Sequence, residues 1–454
     1  MSWLRALGLS GLLWLSACGG GSGGADSSAT PEPTAPAPVD PAPSDPLPEP
    51  VPTDPAPTEP VPTDPVPGDP APTLTGYRTD GPRILDEAGN EVQLRGINMY
   101  GFNANILIPQ YLWTMGWKEQ IQQVKDLGFN AVRLPYIPKT LYSTMRVGVD
   151  LPTWVEPTLN ADLQGKTPLE VLDLWMAEAE RQGLYVLMDF HGNSHVNQYM
   201  TWYNDDPMAY APGKWAETWN GEAYSTADWM RDLVFVARRY AHLPHFIGID
   251  VYNEPNGVTR WGPGDVWAYA EKSDWKLAVE QASAAILDAN PRLLIFVQGI
   301  VQNWDGVEDS SLEMNWGENF QPQAYKPLAI PTGKLVLTPH TYGPDALYEY
   351  PKRSFSAPDF PANLEADWER LFGQFSEQYP VVLGEFGGFY GTGPSGQADR
   401  IWQDALVDYL IEKNLRSAFY WTYTPNSYNT GGILADDLTV RQDKMALLHR
   451  LFGN

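Results

Sequence analysis

Residues 76–454 read as a (β/α)8 barrel on three counts. Eight short apolar runs alternate with amphipathic stretches of helical length, which is the pattern of repeated βα units around a parallel sheet. The span is long enough for one such domain. Nearly every run also ends in polar side chains of the kind that do chemistry, as in "GIDVYNEPNG", where Ile, Val and Tyr lead straight into Asn253 and Glu254.

In chain order the expected strands are "QLRGINMYGFN", "AVRLPY", "LYVLMDFHG", "FIGIDVYNEP", "LLIFVQGI", "KLVLTPHTYG", "VVLGEFGG" and "SAFYWTYTP". Helical segments such as "WKEQIQQVKDLG", "PLEVLDLWMAEAERQG" and "WKLAVEQASAAILDANP" lie between them, several closed by Gly or Asn just past the last apolar residue. Trp175 and Trp275 fall at helical spacing among Leu, Val and Ala and are expected in the core. Before the first strand, "RILDEAGNEVQL" predicts a hairpin turning at Gly89 and Asn90, placed to plug the bottom of the barrel.

The first 75 residues are a different kind of sequence. "MSWLRALGLSGLLWLSACGG" has one basic residue, an apolar run too short to span a bilayer, and small residues before Cys18, the layout of a secretory signal over 1–17. "LSAC" resembles a bacterial lipoprotein processing site, which implies lipidation of Cys18 and, with Gly19 following, sorting to the outer membrane or cell surface; a cleaved signal and a soluble secreted enzyme is the alternative. Cys18 is the only cysteine, so no internal disulfide can form. From 18 to 75 the chain is Gly/Ser-rich and then rich in Pro, Asp and Thr, a composition that cannot bury a core and reads as a disordered stalk. At about 3.1 Å per residue, Pro31 to Pro72 would reach on the order of 130 Å.

Charge narrows the ligand. The whole chain carries −26, of which the nine acidic residues from Asp26 to Asp69 and the lone Arg5 supply −8, leaving −18 for the remainder. Such a surface disfavours nucleic acid and anionic lipid, so membrane contact is expected only through Cys18. The 18 Trp and 23 Tyr suit neutral, ring-shaped molecules.

The strand ends share one side-chain set. Arg133 sits in the second strand, His191 closes the third, Asn253 and Glu254 the fourth, and His340 and Tyr342 the sixth; Glu385 follows the seventh and Trp421 lies in the eighth. In a barrel these ends converge on one face. Each alone reads as a cap or ion-pair residue; eight on one face point to a site. Two carboxylates are what glycoside hydrolysis needs. Metal-assisted hydrolysis lacks an HExxH-like spacing among the six His, a Ser nucleophile lacks G-x-S-x-G, and no phosphate-binding loop is present, so no metal or cofactor is expected.

The motifs "VRLPY", "DFHG", "YNEP", "HTYG", "GEFGG" and "YWTY" resemble glycoside hydrolase family 5, over essentially all of residues 77–454. "FYWTYTPNSYNTGGIL" and "WKLAVEQASAAILDANPRLLIFVQG" are similar to its bacterial endoglucanases of subfamily 1. The resemblance implies a retaining endo-β-1,4-glucanase with Glu254 as general acid/base and Glu385 as nucleophile. It further implies that Arg133 and Tyr342 hold Glu385 ionised, that Asn253 meets the sugar 2-hydroxyl, that His191 and His340 bind sugar hydroxyls or tune Glu254, and that Trp421 offers a flat face to the ring. Trp202, Tyr203, Trp261, Trp304 and Trp316 fall in loops after strands three to five and are candidates to line the cleft, local packing being the alternative for each; His195 is a further candidate. The enzyme is expected to act as a monomer on a β-glucan. A mannanase, xyloglucanase or mixed-linkage glucanase of the same family, and a noncatalytic glycan-binding lipoprotein, are the competing readings.

Overall fold

The structure, a computed structural model, describes residues 76–151, 155–192, 226–255, 259–262, 274–301, 315–347, 355, 357–425, 427 and 429–453, with the backbone of 218–219 and 222–223. Cys18, His195, Trp202, Tyr203 and Trp304 lie outside the described residues. The chain divides into the units Met1–Gly68 and Asp69–Asn454, and all described residues belong to the second.

Eight parallel strands form one curled sheet: β3 (Arg95–Asn98), β4 (Ala131–Tyr136), β5 (Tyr185–Phe190), β8 (Phe246–Asp250), β9 (Leu294–Val297), β10 (Leu335–Leu337), β11 (Leu383–Phe386) and β12 (Ala418–Tyr420). Their order in the sheet follows the chain, with β12 returning beside β3. The two edges, β10 and β11, meet through parallel bridges Leu337–Val381 and His340–Glu385. The architecture is therefore TIM-barrel-like. All eight expected strands occur in order; β4 matches its apolar run, and the other seven ladders are shorter than theirs. Asn253, Glu254, His340 and Tyr342 lie beyond the ends of their strands, although the Asn253 amide still donates to the Phe190 carbonyl at 2.9 Å and His340 bridges Glu385, which is inside β11 rather than after it.

The intervening helices form because their apolar residues recur on one face. They are α1 (Trp117–Asp126), the short α2 (Pro138–Tyr142), α3 (Pro168–Gln182), α4 (Thr226–Arg239), α5 (Trp275–Ala289), the short α6 (Pro344–Leu347), α7 (Ala362–Leu371), α8 (Gln397–Glu412) and α9 (Gln442–Phe452). Capping sets the ends of α3. Thr167 accepts from the Glu170 amide while Glu170 accepts from the Thr167 amide at 2.8 Å, and Gly183 closes the helix at φ 70°. Trp175 and Trp275 are buried, as their spacing requires; truncating such a ring to Ala would cost about 3–5 kcal/mol. Between β9 and β10 the described residues hold a 3-10 turn, Gln321–Ala324, where a barrel helix was expected. A small hairpin, β6 (Thr218–Trp219) with β7 (Glu222–Ala223), lies between β5 and α4. No helix among the described residues is long and apolar enough to cross a membrane.

The N-terminal hairpin turns where expected, with one further strand paired ahead of it. β1 (Arg78–Asp80) pairs antiparallel with β2 (Arg83–Leu85) around Gly81, and the chain turns back again over Gly89 and Asn90, where Leu85 bridges Glu91, the Asp86 amide donates to the Asn90 carbonyl at 2.9 Å and the Val92 amide to the Ile84 carbonyl at 2.8 Å. Asp86 fixes this second turn, since its carboxylate accepts both the Asn90 amide and its side-chain nitrogen at 2.8 and 3.0 Å. Tyr77, Ile84 and Val92 pack in one buried cluster with Ala131, Leu187, Ile247, Leu294, Val336, Val382 and Phe419. Because those partners come from seven barrel strands or the residues flanking them, the segment closes the interior at the ends opposite the site.

Candidate active site

Arg133 is the hub of the upper barrel. Its side chain is fully buried on β4, and Nη1 donates to Glu385 Oε1 at 2.6 Å and to Asn98 Oδ1 at 3.1 Å. Nε and Nη2 donate to Asp250 Oδ2 at 3.0 and 2.9 Å, Nη2 also to Asn253 Oδ1 at 2.8 Å, and Asp189 Oδ1 lies 3.0 Å away. A buried guanidinium is tolerable only with its fork filled in this way. Asp189 and Asp250 are register partners on β5 and β8; burial pushes each up to about 7, against the pull of Arg133.

Glu385 is held from both sides. Arg133 binds Oε1, and the Tyr342 hydroxyl donates to Oε2 at 2.7 Å. The bridge His340–Glu385 sets the two residues side by side on adjoining strands. Gly384 makes this close approach possible, because a Cβ there would stand 2.6 Å from His340 Nε2 and 2.7 Å from Thr338 Oγ1.

Glu254 faces it. His340 Nδ1 lies 3.1 Å from Glu254 Oε1 and 3.6 Å from Glu385 Oε2, and carboxylate oxygens of the two glutamates come within 4.8 Å of one another. Burial and then the charge of Glu385 push Glu254 well above the ordinary carboxyl range, with Arg133 opposing. Glu385 is also raised by burial, but Arg133, His191 and the Tyr342 hydroxyl pull it back. One proton shared by the pair therefore resides on Glu254. His340 is driven well below the usual imidazole range by burial and by the charges of Arg133 and His191, so it meets Glu254 as a neutral ring.

The remaining expected residues arrange around this pair. His191 Nδ1 pairs with Asp189 Oδ2 at 2.5 Å. Trp421 stacks near-parallel with His191 (10°) and Tyr100 (14°), each at 5.7 Å between centroids, and its Nε1 donates to Ser427 at 2.9 Å. Asn253 keeps its Nδ2 buried without a hydrogen-bond partner among the described residues. Trp316 is half-buried on the turn after Asn315, which Glu318 ties to Thr341 Oγ1 at 2.8 Å. Trp261 is 4% exposed, set edge-on to Phe320, and donates to the Lys326 carbonyl at 2.8 Å, contacts of the local packing that is the alternative to a place in the cleft.

Carboxylates and imidazoles of Asp189, His191 and Glu385, or of Glu254, His340 and Glu385, converge closely enough to hold a cation. Arg133, already paired with Asp189 and Glu385, supplies the positive charge there and opposes a metal ion. Sequence reading missed Asn98, Asp189, Asp250 and Gln298, all fully buried. Their signal was present as single polar residues inside apolar strands, "GIN", "MDF", "GID" and "FVQG".

The sequence profile of the cellulase family, glycosyl hydrolase family 5, matches residues 85–427. The chain belongs to this family. Among family 5 relatives, the major extracellular endoglucanase of Xanthomonas campestris pv. campestris is 43% identical over 372 residues, which is 82% of this chain and 70% of that one. An endoglucanase of Paenibacillus polymyxa is 33% identical over 381 residues, 83% of this chain and 86% of that one. The catalytic domain of the Xanthomonas enzyme superposes with a TM-score of 0.72 at 41% identity, over 83% of this chain and all (100%) of that one. An endocellulase of Pyrococcus horikoshii solved with cellotetraose gives 0.71 at 33% identity, over 84% of this chain and 99% of that one.

Proposed function

We propose that this protein is an endo-β-1,4-glucanase that cleaves cellulose or a related β-glucan with retention of configuration. The observation that carries the mechanism is the pair Glu254 and Glu385, with oxygens within 4.8 Å and with environments that place the proton on Glu254. Retaining enzymes need carboxyl groups about 5 to 5.5 Å apart, whereas inverting ones leave about 6.5–9.5 Å for a water.

In the first step Glu385 attacks the anomeric carbon while Glu254 gives its proton to the departing glycosidic oxygen. The bond to the leaving sugar breaks and a glycosyl ester forms on Glu385. In the second, Glu254 takes a proton from water, the hydroxide equivalent attacks the same carbon, and Glu385 leaves as a carboxylate. Arg133 and Tyr342 stabilise that carboxylate, Asn253 Nδ2 is free to donate to the sugar 2-hydroxyl, and Trp421 with His191 and Tyr100 borders the ring. His340, neutral, accepts or returns a hydrogen bond as Glu254 cycles. Trp316 and, outside the described residues, Trp202, Tyr203 and Trp304 remain candidates for more distant sugars.

The reading of the chain's other parts is a signal over 1–17, lipidated Cys18 with a stalk to residue 75, and a catalytic domain over 76–454, which together hold a monomeric enzyme at the cell surface. An acyl mass on the Cys18 peptide and membrane retention lost in Cys18→Ala are the expected results; full-length protein found only in culture medium would remove the anchor. For the activity, the test is azide with Glu385→Ala, which should yield an α-glycosyl azide, while wild-type enzyme releases β-anomeric sugar; release of the α anomer by wild type would refute retention. Reducing-sugar release on carboxymethylcellulose, mannan, xyloglucan and barley glucan assigns the substrate, with carboxymethylcellulose or barley glucan expected to lead.

A further inference from the structure

The backbone of Glu254 is in the left-handed region, φ 52°, immediately before Pro255. A branched or long side chain there is strained, by on the order of 1–3 kcal/mol, and the conformation persists only if its surroundings impose it. One of those surroundings is Gln298, one residue beyond β9 and fully buried. Its Oε1 accepts the Glu254 amide at 2.7 Å, and its Nε2 donates to Asp250 Oδ2 at 2.8 Å.

The amide of Gln298 is itself tightly placed. Its backbone carbonyl accepts Trp275 Nε1 at 2.9 Å. Gly317, at φ 78°, leaves the space its side chain occupies, since a Cβ there would stand 2.5 Å from Gln298 Oε1. The two bonds also fix which end of the amide points where. The Glu254 amide is a donor and needs the oxygen, while the Asp250 oxygen already accepts from Arg133 Nε and Nη2 and takes the nitrogen as a third donor. A continuous buried path therefore runs from the Glu254 peptide through Gln298, Asp250 and Arg133 to Glu385.

We infer that Gln298 is a positioning residue for the acid/base, holding the Glu254 peptide in its left-handed turn and so aiming its carboxyl at the glycosidic oxygen. The inference rests on the assignment of Glu254 as acid/base. Gln298 does not contact Glu385 in this arrangement, so its loss should damage proton transfer far more than nucleophilic attack. Displacing a catalytic group by about 1 Å costs on the order of a hundredfold.

The test uses two substrates that differ in their need for an acid. Cellotetraose has a sugar leaving group that must be protonated; 2,4-dinitrophenyl β-cellobioside leaves without a proton. With the full chain, Gln298→Leu and the shorter but still polar Gln298→Asn should lower kcat/KM on cellotetraose by roughly tenfold to a hundredfold, and on the dinitrophenyl substrate by far less. Azide, which needs no base to attack the glycosyl ester, should raise kcat on the dinitrophenyl substrate in both variants. Equal losses on the two substrates in a variant whose melting matches wild type, or no loss on either, would overturn the inference. Glu254→Ala run alongside separates the two ideas: if it shows no leaving-group dependence the acid/base assignment is wrong, and if it does while the Gln298 variants do not, Gln298 is merely structural.

Discussion

Tyr342 donates its hydroxyl to Glu385 Oε2 at 2.7 Å, on the oxygen that Arg133 does not occupy. A hydrogen bond to the charged form favours that form, so Tyr342→Phe should raise the pKa of Glu385. The acid limb of kcat/KM should then move to higher pH, because Glu385 must be ionised to attack. A loss of kcat of about tenfold to a hundredfold is expected with little change in melting. A pH–rate profile checks this; an unmoved acid limb would mean that Arg133 alone sets the ionisation of Glu385.

Arg133 neutralises Glu385, Asp189 and Asp250 in a space closed to water. Arg133→Ala leaves those carboxyls uncompensated, at a cost of about 3–5 kcal/mol. Arg133→Lys keeps the charge but not the planar fork and should retain much of the stability while losing on the order of a hundredfold or more in kcat. Urea unfolding and initial rates measured on both variants separate the two effects; equal stability loss in both would show that fork geometry, not charge, holds the upper barrel.

The loop after β11 is fastened by two acids. Asp345 accepts the amides of Phe389 and Ser395, at 3.2 and 2.8 Å, while Asp399 accepts the Tyr390 amide and Gln403 Nε2, at 2.8 and 2.7 Å. Burial and then the nearby Asp345 push Asp399 from 3.8 up to about 7. Between those values the folded protein holds a proton that the unfolded chain has released, so this group's stabilisation is complete below the lower value and is lost as pH rises through the upper one. Asp399→Asn mimics the protonated form and should flatten the fall in melting temperature between about pH 4 and about pH 7. A slope identical to wild type would show that Asp399 is ionised throughout.

A chain beginning at Gly76 should fold and cut cellotetraose normally. Removing Tyr77 as well should not be neutral, because its amide donates to the Arg292 carbonyl at 2.9 Å and its hydroxyl to the Pro244 carbonyl at 2.8 Å, and its ring closes the lower cluster. Two lost hydrogen bonds and an uncovered, largely aliphatic cluster should cost about 2–4 kcal/mol. Comparing melting curves of chains starting at residues 76 and 78 is sufficient; reduced activity of the longer chain would place part of the stalk on the domain.

Strand order, the sheet's parallel sense and the gathering of Arg133, His191, Asn253, Glu254, His340, Tyr342, Glu385 and Trp421 were legible in the linear chain. Apolar run length, helical period and polar run endings are local properties, and a βα repeat converts strand ends into one shared face. What the chain left open depended on distance in space. Asn98, Asp189, Asp250 and Gln298 are single polar residues in apolar runs, and nothing local shows that the four converge on Arg133 or on the Glu254 peptide. Trp261 and Trp421 are alike as letters, yet one is set edge-on to Phe320 and the other stacks on His191 and Tyr100. The turn at Gly89 and Asn90 is local, held by Asp86 on Asn90, whereas the pairing of β1 with β2 ahead of it depends on a partner the local pattern does not announce. Above all, only the family resemblance divided the labour of the two glutamates, and the physical reason for it lies in the tertiary structure: Arg133 and Tyr342 hold Glu385 as a carboxylate, while burial and the charge of Glu385 push Glu254 upward.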